Sequence, residues 1–262
     1  MLAIDIGNTS LRFAAFAAGE KTGCRSFPVA GLRKENLQAA FSDLLPLAER
    51  REAWIASVVP AADRSGEETA RILGIRSRFI RSGADDIISH RLASPETTGV
   101  DRLLAALGAG MRHFSGLSGR NGYAAVQCGS AATIDWVDAN GVFRGGYLLP
   151  GPKMWLAGLA LAAGIPDYSD RNPEWENLSP GGDTAGALAH GLAVGLPAAV
   201  AAAFFRIRRE AGWVDGGKPF PVAITGGWGR IAAGLIPASI LDDDLLFHGI
   251  CAFVSRLERR GT

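Results

Sequence analysis

The first ten residues carry the most informative pattern in the chain. An apolar run with one acid inside it, Leu2–Ile6, ends at the turn-forming Gly7–Thr9, and a second apolar run spans Leu11–Phe16. The glycine would let the backbone approach an anion, while N–H groups and the Thr9 hydroxyl donate to it and Asp5 holds Mg²⁺ or its water. An acid inside an apolar strand is costly unless it has a role. The pattern therefore favours a phosphate site over the alternative, an ordinary hairpin turn.

A similar strand, glycine turn and strand recur in the middle of the chain. The apolar Tyr123–Val126 is followed by Q-C-G-S-A-A-T-I-D. Gly129 stands where Gly7 stands, and Ser130 supplies a hydroxyl as Thr9 does. An internal two-fold repeat of this kind would make a cleft between the halves, where ligands bind. The alternative is a chance likeness of two strand–turn–strand units.

The sequence T-G-V-D-R, Thr98–Arg102, begins a predicted helix. Asp101 would lie in its first turn, where a carboxylate suits a general base that takes a proton from a substrate hydroxyl. The adjacent Arg102 suits a carboxylate or phosphate. The simpler interpretation is that the helix dipole favours an acid at this end.

Two further glycine-rich segments follow predicted strands. Gly145–Pro152 would form a loop over a ligand or a simple turn. Ile224–Gly229, I-T-G-G-W-G, has paired glycines after an apolar run. They would let the backbone lie flat against a base and ribose, or would form a turn without a ligand.

The elements that must position these residues alternate in an α/β order. Glycine, serine and asparagine between His113 and Gly122 interrupt the pattern, which predicts two domains, residues 1–117 and 118–262. The predicted strands are Leu2–Ile6, Leu11–Phe16, Arg25–Val29, Trp54–Val59, Ile75–Ile80, Tyr123–Val126, a strand ending at Val137, Val142–Leu148 and Pro221–Ile224. The predicted helices are Glu35–Leu45, Ala61–Leu73, Val100–Met111, Met154–Ala163 and Ala185–Ala203.

The composition is ordinary for a globular protein: the chain has 262 residues, of which 48% are hydrophobic and 20% charged. A net charge of +1 gives no electrostatic footprint for nucleic acid. The three cysteines are far apart and match neither a disulfide framework nor a zinc site. The apolar Ala185–Phe205 is interrupted by His190 and Pro197, which favours a buried helix over a membrane span. We expect a cytoplasmic protein without a signal peptide.

Taken in order, the motifs resemble those of the type III pantothenate kinases, members of the acetate kinase/Hsp70/actin-like superfamily. The resemblance covers essentially the whole chain. The matching segments are D-I-G-N-T at 5–9, S-V-V-P at 57–60, P-E-T-T-G-V-D-R at 95–102, G-S-A-A-T-I-D at 129–135, G-G-Y-L-L-P-G at 145–151, D-T-A-G-A-L-A-H-G at 183–191, T-G-G at 225–227 and L-L-F-H-G-I at 245–250.

The resemblance implies two ribonuclease H-like, actin-like domains with a cleft between them. It implies phosphorylation of pantothenate by ATP, the first step of coenzyme A biosynthesis, with Mg²⁺ and a monovalent cation, K⁺ or NH₄⁺, in a homodimer. By the same resemblance, the first phosphate loop consists of Asp5, Gly7, Asn8 and Thr9, with Asp5 serving Mg²⁺, and the second consists of Gly129, Ser130 and Ala131. The resemblance implies that Asp101 is the base and that pantothenate is contacted by Gly99, Arg102 and Thr184. It implies that the nucleoside end of the site is formed by Thr225, Gly226 and Gly227.

The chain departs from the family pattern at positions that matter for chemistry. Gln127 replaces the aspartate that helps hold the monovalent cation, and a hard cation prefers carboxylate. Ser130 replaces a threonine, Leu92 an expected tyrosine and Ala162 a threonine that faces the partner's substrate. Two alternatives therefore stay open: a protein that binds nucleotide or a pantothenate-like ligand without turnover, and a kinase of another small hydroxy acid or alcohol.

Overall fold

The computed structural model describes the whole chain except residues 31–32, 60–62, 64–66, 69, 72–73, 84, 116–121, 172, 214–218 and 261–262. The chain forms two compact units, Met1–Arg112 together with Asp244–Thr262, and His113–Asp243. The chain passes from the first unit to the second after Arg112, close to the predicted boundary between residues 117 and 118. The C-terminal segment differs from the prediction, because it returns to the first unit rather than completing the second.

The helices of the described residues are α1 (Lys34–Leu44), α2 (Val100–His113), α3 (Pro152–Ala163), α4 (Thr184–Glu210), α5 (Gly229–Ala233) and α6 (Leu245–Arg260). Single 3-10 turns occupy Leu45–Leu47 and Pro95–Thr97. The N-terminal bounds of α1 and α2 lie within one residue of the predicted ones. Most of the helix predicted at 61–73 lies outside the described residues.

A five-stranded sheet forms the centre of the first unit. Its strands are β1 (Leu2–Ile6), β2 (Ser10–Ala17), β3 (Glu20–Pro28), β4 (Glu52–Ser57) and β5 (Arg76–Ile80), in the spatial order β3-β2-β1-β4-β5. The pairs β1–β2 and β2–β3 are antiparallel, whereas β1–β4 and β4–β5 are parallel. β1 is buried along its whole length because it is central, which explains its continuous apolar sequence.

The last helix explains why the C-terminal segment belongs to the first unit. A Cβ atom on Gly249 of α6 would lie 1.9 Å from the carbonyl oxygen of Leu104 in α2, and one on Gly108 would lie 2.0 Å from that of Leu245. Two glycines thus let the two helix backbones pack at close range. Phe253 of α6 also meets the ring of Trp54 edge-on at 6.1 Å.

The second unit repeats the topology of the first. Its strands are β6 (Tyr123–Cys128), β7 (Ala131–Val137), β8 (Phe143–Pro150), β9 (Val222–Thr225) and β10 (Ile240–Leu241), in the order β10-β9-β6-β7-β8. As in the first unit, two antiparallel strands lie on one side of the first strand and two parallel strands on the other. The predicted internal repeat and the α/β class are confirmed.

The long helix α4 is the one helix in the described ranges that is long and apolar enough to cross a membrane by length and composition. One of its faces packs into the core of the second unit through Leu192, Leu196, Val200, Phe204 and Ile207. This is the packing that the sequence predicted for a buried helix.

Candidate active site

Asp5 is a buried acid at the carboxyl end of β1. It is 8% exposed, and its Oδ2 accepts hydrogen bonds from Nε and Nη2 of Arg12 at 3.0 and 2.9 Å. Burial raises the pKa of Asp5, and the charge and hydrogen bond of Arg12 oppose that rise. The guanidinium of Arg12 also lies 5.1 Å from the centre of the Phe247 ring. An acid that would otherwise be costly to bury is thus kept at the end of a central strand.

Arg12 was missed by sequence reasoning, although a signal for it exists. In the antiparallel pair β1–β2, Asp5 lies directly opposite Arg12. Residues opposite each other across a hairpin face the same side of the sheet. When the turn is counted as the four residues Gly7–Ser10, Asp5 lies two residues before it and Arg12 two residues after it, and the two side chains are predicted to meet.

The turn between β1 and β2 exposes the polar residues of the first predicted phosphate loop. The N–H of Gly7 donates to the carbonyl of Ser10 at 3.0 Å, and a Cβ on Gly7 would lie 3.2 Å from that oxygen. Asn8 and Thr9 are exposed. The carbonyl of Thr9 accepts from Val29 at 2.9 Å. Backbone bonds thus fix the turn and leave its polar side chains at the surface beside Asp5.

Asp101 lies in the first turn of α2, and its carboxylate folds back over the helix N-terminus. Its Oδ1 accepts from the backbone N–H of Arg102 at 2.9 Å. A Cβ on Gly99 would lie 2.3 Å from the same Oδ1, so a side chain at this position would displace the carboxylate. Both Asp101 and Arg102 are partly buried.

The first unit brings Asp101 to the edge of the sheet where Asp5 lies. The N–H of Val58, just after β4, donates to the carbonyl of Ile6 at the end of β1, at 3.1 Å. A Cβ on Gly99 would lie 3.7 Å from Cγ1 of Val58. The carboxyl ends of two parallel strands and the start of α2 therefore meet, and such edges are where α/β proteins bind ligands.

In the second unit, a row of polar side chains crosses the sheet at the end of β6. Gln127 lies opposite Thr133 of β7 and opposite Thr225 of β9, and its Nε2 donates to Oγ1 of Thr133 at 3.3 Å. Thr225 is 4% exposed. Its Oγ1 has no hydrogen-bond partner within the described part of the chain. A buried hydroxyl without a partner is a group that a ligand would satisfy.

The second predicted phosphate loop, Gly129–Ala131, is fixed by bonds to its carbonyl groups. The N–H of Gly151 donates to the carbonyl of Ser130 at 3.0 Å, and Nε1 of Trp228 donates to that of Gly129 at 3.1 Å. A Cβ on Gly151 would lie 2.2 Å from the Ser130 oxygen. A side chain at residue 151 would collide with the loop, which explains the glycine at this position.

The glycines after β9 make a second close approach. Gly226 has φ +99°, which favours glycine, and a Cβ there would lie 2.4 Å from the carbonyl oxygen of Cys128. A Cβ on Gly227 would have no neighbouring atom within 4 Å. The turn Thr225–Gly227 thus packs against the end of β6 and adjoins the second phosphate loop.

The segment Gly145–Pro152, predicted as a loop or a turn, is mostly strand. β8 runs through it to Pro150, and α3 begins at Pro152. A Cβ on Gly146 would lie 1.9 Å from the carbonyl oxygen of Ile134, so this glycine serves close strand packing. Gly145, with φ +83°, lies at an irregularity in the pairing of β7 with β8.

The remaining predicted positions lie at the surface or partly buried. Thr184 is exposed at the first position of α4, where the side chain of Asp183 caps the helix by accepting from Gly186 at 2.7 Å. Ala162 is exposed near the end of α3, and Leu92 is partly buried.

Asp5 is the residue that could serve Mg²⁺, and Gln127 is the position at which the family pattern has a ligand for the monovalent cation. Over the residues that the structure describes, no group of three or more His, Cys, Asp or Glu side chains could hold a metal. Mg²⁺ needs no such group, because it is commonly held by one or two carboxylates with waters and phosphates, and Asp5 can serve in this way. At Gln127 a neutral amide, whose Nε2 donates to Thr133, stands where the family pattern has a carboxylate, so this position offers an oxygen without a negative charge.

Comparison with known proteins identifies a family. The model of the family described as type III pantothenate kinase matches residues 1–206. The type III pantothenate kinase of Thermus thermophilus is 30% identical over 257 residues, an alignment that covers 95% of this chain and 96% of that protein.

Solved structures share the fold. A conserved Campylobacter jejuni protein assigned to the Baf family of transcriptional activators aligns with TM-score 0.55 and 17% identity, over 99% of this chain and 100% of its own. The activator of 2-hydroxyisocaproyl-CoA dehydratase from Clostridium difficile, solved with ADPNP bound, aligns with TM-score 0.52 and 12% identity, over 100% and 97%. At these identities the likeness concerns the two-domain actin-like architecture and not the activity.

Proposed function

Because the chain belongs to the type III pantothenate kinase family, we propose that it transfers a phosphoryl group from ATP to the hydroxyl of pantothenate in the cytoplasm, as the first step of coenzyme A biosynthesis. The observation that carries this proposal is the edge of the first sheet. There Asp5 lies buried at the end of β1 beside the polar turn Gly7–Thr9, and Asp101 follows Gly99, which packs beside Val58 just after the adjacent strand β4.

Phosphoryl transfer depends mainly on positioning and on neutralising charge. Asp101 would accept the proton of the pantothenate hydroxyl as that oxygen attacks the γ-phosphorus. Its carboxylate is held by the N–H of Arg102 and has room because residue 99 is glycine. A base held in one orientation beside its substrate lowers the entropic cost of reaching the transition state.

Asp5 would hold Mg²⁺, which supplies charge neutralisation on the phosphates when bound. The carboxylate is paired with Arg12, whose charge favours the ionised form and opposes the rise in pKa that burial causes. Asn8 and Thr9, exposed on the adjacent turn, would donate to phosphate oxygens together with the turn's backbone N–H groups.

The second unit would supply the other phosphate loop, Gly129–Ala131, and the nucleoside end, Thr225–Gly227. The buried hydroxyl of Thr225, which has no hydrogen-bond partner among the described residues, supports this assignment. The glycines after it let a backbone approach a flat ligand closely. Gly99, Arg102 and Thr184 would contact pantothenate, whose carboxylate suits an arginine.

We propose a homodimer without nucleic-acid or membrane partners. The homodimer is supported by apolar side chains exposed on the second unit: Leu148 is 66% exposed, Leu161 is 90% exposed and Val194 is 50% exposed. Large exposed apolar residues grouped on neighbouring elements are typical of subunit interfaces. Ala162 lies beside Leu161 on α3, so a partner's substrate contact there would lack a threonine hydroxyl.

The deciding experiment is a coupled assay of ADP release, with pantothenate first and then a panel of small hydroxy acids and alcohols. Release that depends on pantothenate supports the proposal. Release with another alcohol alone would indicate a kinase with a changed pocket. Nucleotide binding without release for any acceptor would indicate a binding protein, and the changes at Gln127, Leu92 and Ala162 would explain it.

A further inference from the structure

Trp228 connects the nucleoside turn to the second phosphate loop within the second unit. It follows Gly227 directly, is 6% exposed, and is the N-cap residue of the short helix α5. Its Nε1 donates to the carbonyl of Gly129 at 3.1 Å, across 99 residues of sequence. Its backbone N–H approaches the carbonyl of Cys128 at 3.4 Å. One side chain thus joins two segments to which the proposed function gives separate roles.

The bond to Gly129 controls which way the loop's N–H groups face. In a planar trans peptide the carbonyl and the following N–H point in opposite directions, and the described residues contain no cis peptide bond. Trp228 holds the Gly129 carbonyl, and the N–H of Gly151 holds the Ser130 carbonyl. Both carbonyl oxygens face the Cβ position of Gly151, at 2.5 Å for Gly129 and 2.2 Å for Ser130. The N–H groups of Ser130 and Ala131 therefore point to the opposite side, as in an anion-binding nest.

A second aromatic residue fixes the indole ring of Trp228. The ring of Trp175 is stacked on it, with centroids 5.7 Å apart and planes inclined by 20°. Trp175 lies in the long connection between α3 and α4. His190 of α4 holds this connection, because its Nδ1 lies 2.6 Å from the carbonyl oxygen of Ser179 and its Nε2 lies 3.7 Å from Oε2 of Glu174.

We propose that Trp228 is a positioning residue for nucleotide binding: its indole N–H orients the second phosphate loop toward the nucleotide phosphates, and Trp175 orients the indole. The proposal rests on the nucleotide site of the proposed function and extends it to two residues with no assigned role. It concerns the binding of a nucleoside di- or triphosphate and not the identity of the phosphoryl acceptor.

The test uses the same substitution at Trp228 and at a control tryptophan of the second unit, Trp136. Trp228→Phe keeps an aromatic ring and removes the N–H that donates to Gly129, whereas Trp136→Phe removes an indole N–H that has no partner among the described residues. A neutral hydrogen bond corresponds to roughly a five- to tenfold change in an equilibrium constant. We expect Trp228→Phe to weaken Mg-ADP binding by about that factor in calorimetry and to raise KM for ATP similarly. We expect kcat and KM for pantothenate to change less than about twofold. The control Trp136→Phe should stay within about twofold of the wild type in every one of these measurements.

Trp175→Leu, at a half-buried position, supplies an independent variant. It removes the stacked ring and leaves the indole N–H in place, so we expect an intermediate loss of Mg-ADP affinity, about threefold. Wild-type affinity in a folded Trp228→Phe protein would overturn the proposal, as would equal losses in kcat and in both KM values, which indicate general damage. If Trp228→Phe does not fold, wild-type affinity in Trp175→Leu overturns it.

Direct binding separates this proposal from the proposed function. A wild-type protein that binds Mg-ADP and does not phosphorylate pantothenate would contradict the function and leave the role of Trp228 testable by calorimetry. A wild-type protein that does not bind nucleotide at all would overturn both.

Discussion

Gly99 and Asp101 are coupled, because the space that a Cβ atom would fill at residue 99 is the space that the Asp101 carboxylate occupies. A Cβ there would lie 2.3 Å from Oδ1 of Asp101, and that oxygen accepts the N–H of Arg102 at 2.9 Å. The glycine therefore determines where the proposed base can be, independently of any contact that Gly99 itself makes with substrate.

Replacing the proposed base tests its role directly. Asp101→Asn retains an oxygen that can accept the N–H of Arg102 and loses the ability to take a proton. We expect kcat to fall by roughly 10²–10⁴-fold, with the thermal unfolding midpoint within a few degrees of the wild type. The measurement is the ADP-release rate at saturating pantothenate and ATP. A folded variant that keeps more than about half of the wild-type rate would show that Asp101 is not the base.

Gly99→Ala should reduce activity through Asp101. The methyl group meets the far end of a flexible side chain, so we expect little loss of stability, whereas a carboxylate displaced by about 1 Å can cost on the order of 10²-fold in rate. Steady-state kinetics of the two single variants and the double variant distinguish the mechanism. If Gly99 acts through Asp101, then adding Gly99→Ala to Asp101→Asn should lower kcat no further. Additive losses would contradict the coupling.

Asp5→Asn should weaken the use of Mg-nucleotide. The amide is a poorer ligand for Mg²⁺ and its waters than a carboxylate, so we expect a higher Mg²⁺ requirement and partial recovery of the rate as Mg²⁺ is raised. Rates are measured against Mg²⁺ concentration at fixed ATP and ionic strength. Identical Mg²⁺ dependence in the two proteins would remove Asp5 from the metal site.

Packing of the last helix onto the first unit predicts a stability effect with a matched control. In Gly249→Ala the new Cβ would meet the Leu104 carbonyl oxygen at 1.9 Å, and backbone cannot move away as cheaply as a side chain. We expect a loss of about 1–3 kcal/mol of unfolding free energy. The same change at Gly158, a helical glycine with nothing within 4 Å of its Cβ position, should be neutral or stabilising by up to about 1 kcal/mol. Denaturant unfolding of both variants checks this, and equal effects would contradict the close packing.

Local patterns in the sequence predict much of the fold, because each depends on neighbouring residues. β1 has the predicted bounds Leu2–Ile6, since a buried central strand is apolar throughout and a glycine turn ends it. The repeat of the β1–β2 turn at Gly129 correctly predicts the second sheet, because the same turn chemistry forms the same strand pair.

The features that the sequence did not predict are contacts between distant segments. The return of α6 to the first unit depends on Gly249 meeting Leu104, and the anchoring of Gly129 depends on Trp228. Gly146 suggested a loop in the sequence, whereas in the structure it allows β8 to pack closely on β7. In each case the residue type is informative only once its neighbour in space is known.

The last prediction concerns Gln127, where this chain departs from the family's usual carboxylate. Its amide nitrogen donates to Thr133 at 3.3 Å, and a charge-assisted contact is roughly twice as strong as a neutral one. We therefore expect the activity to depend only weakly on K⁺ or NH₄⁺, and Gln127→Asp to increase that dependence or the activity itself. The measurement is the initial rate against K⁺ concentration at constant ionic strength for both proteins. Strong activation of the wild type by K⁺, unchanged in the Asp variant, would show that the cation binds elsewhere and that residue 127 has no part in holding it.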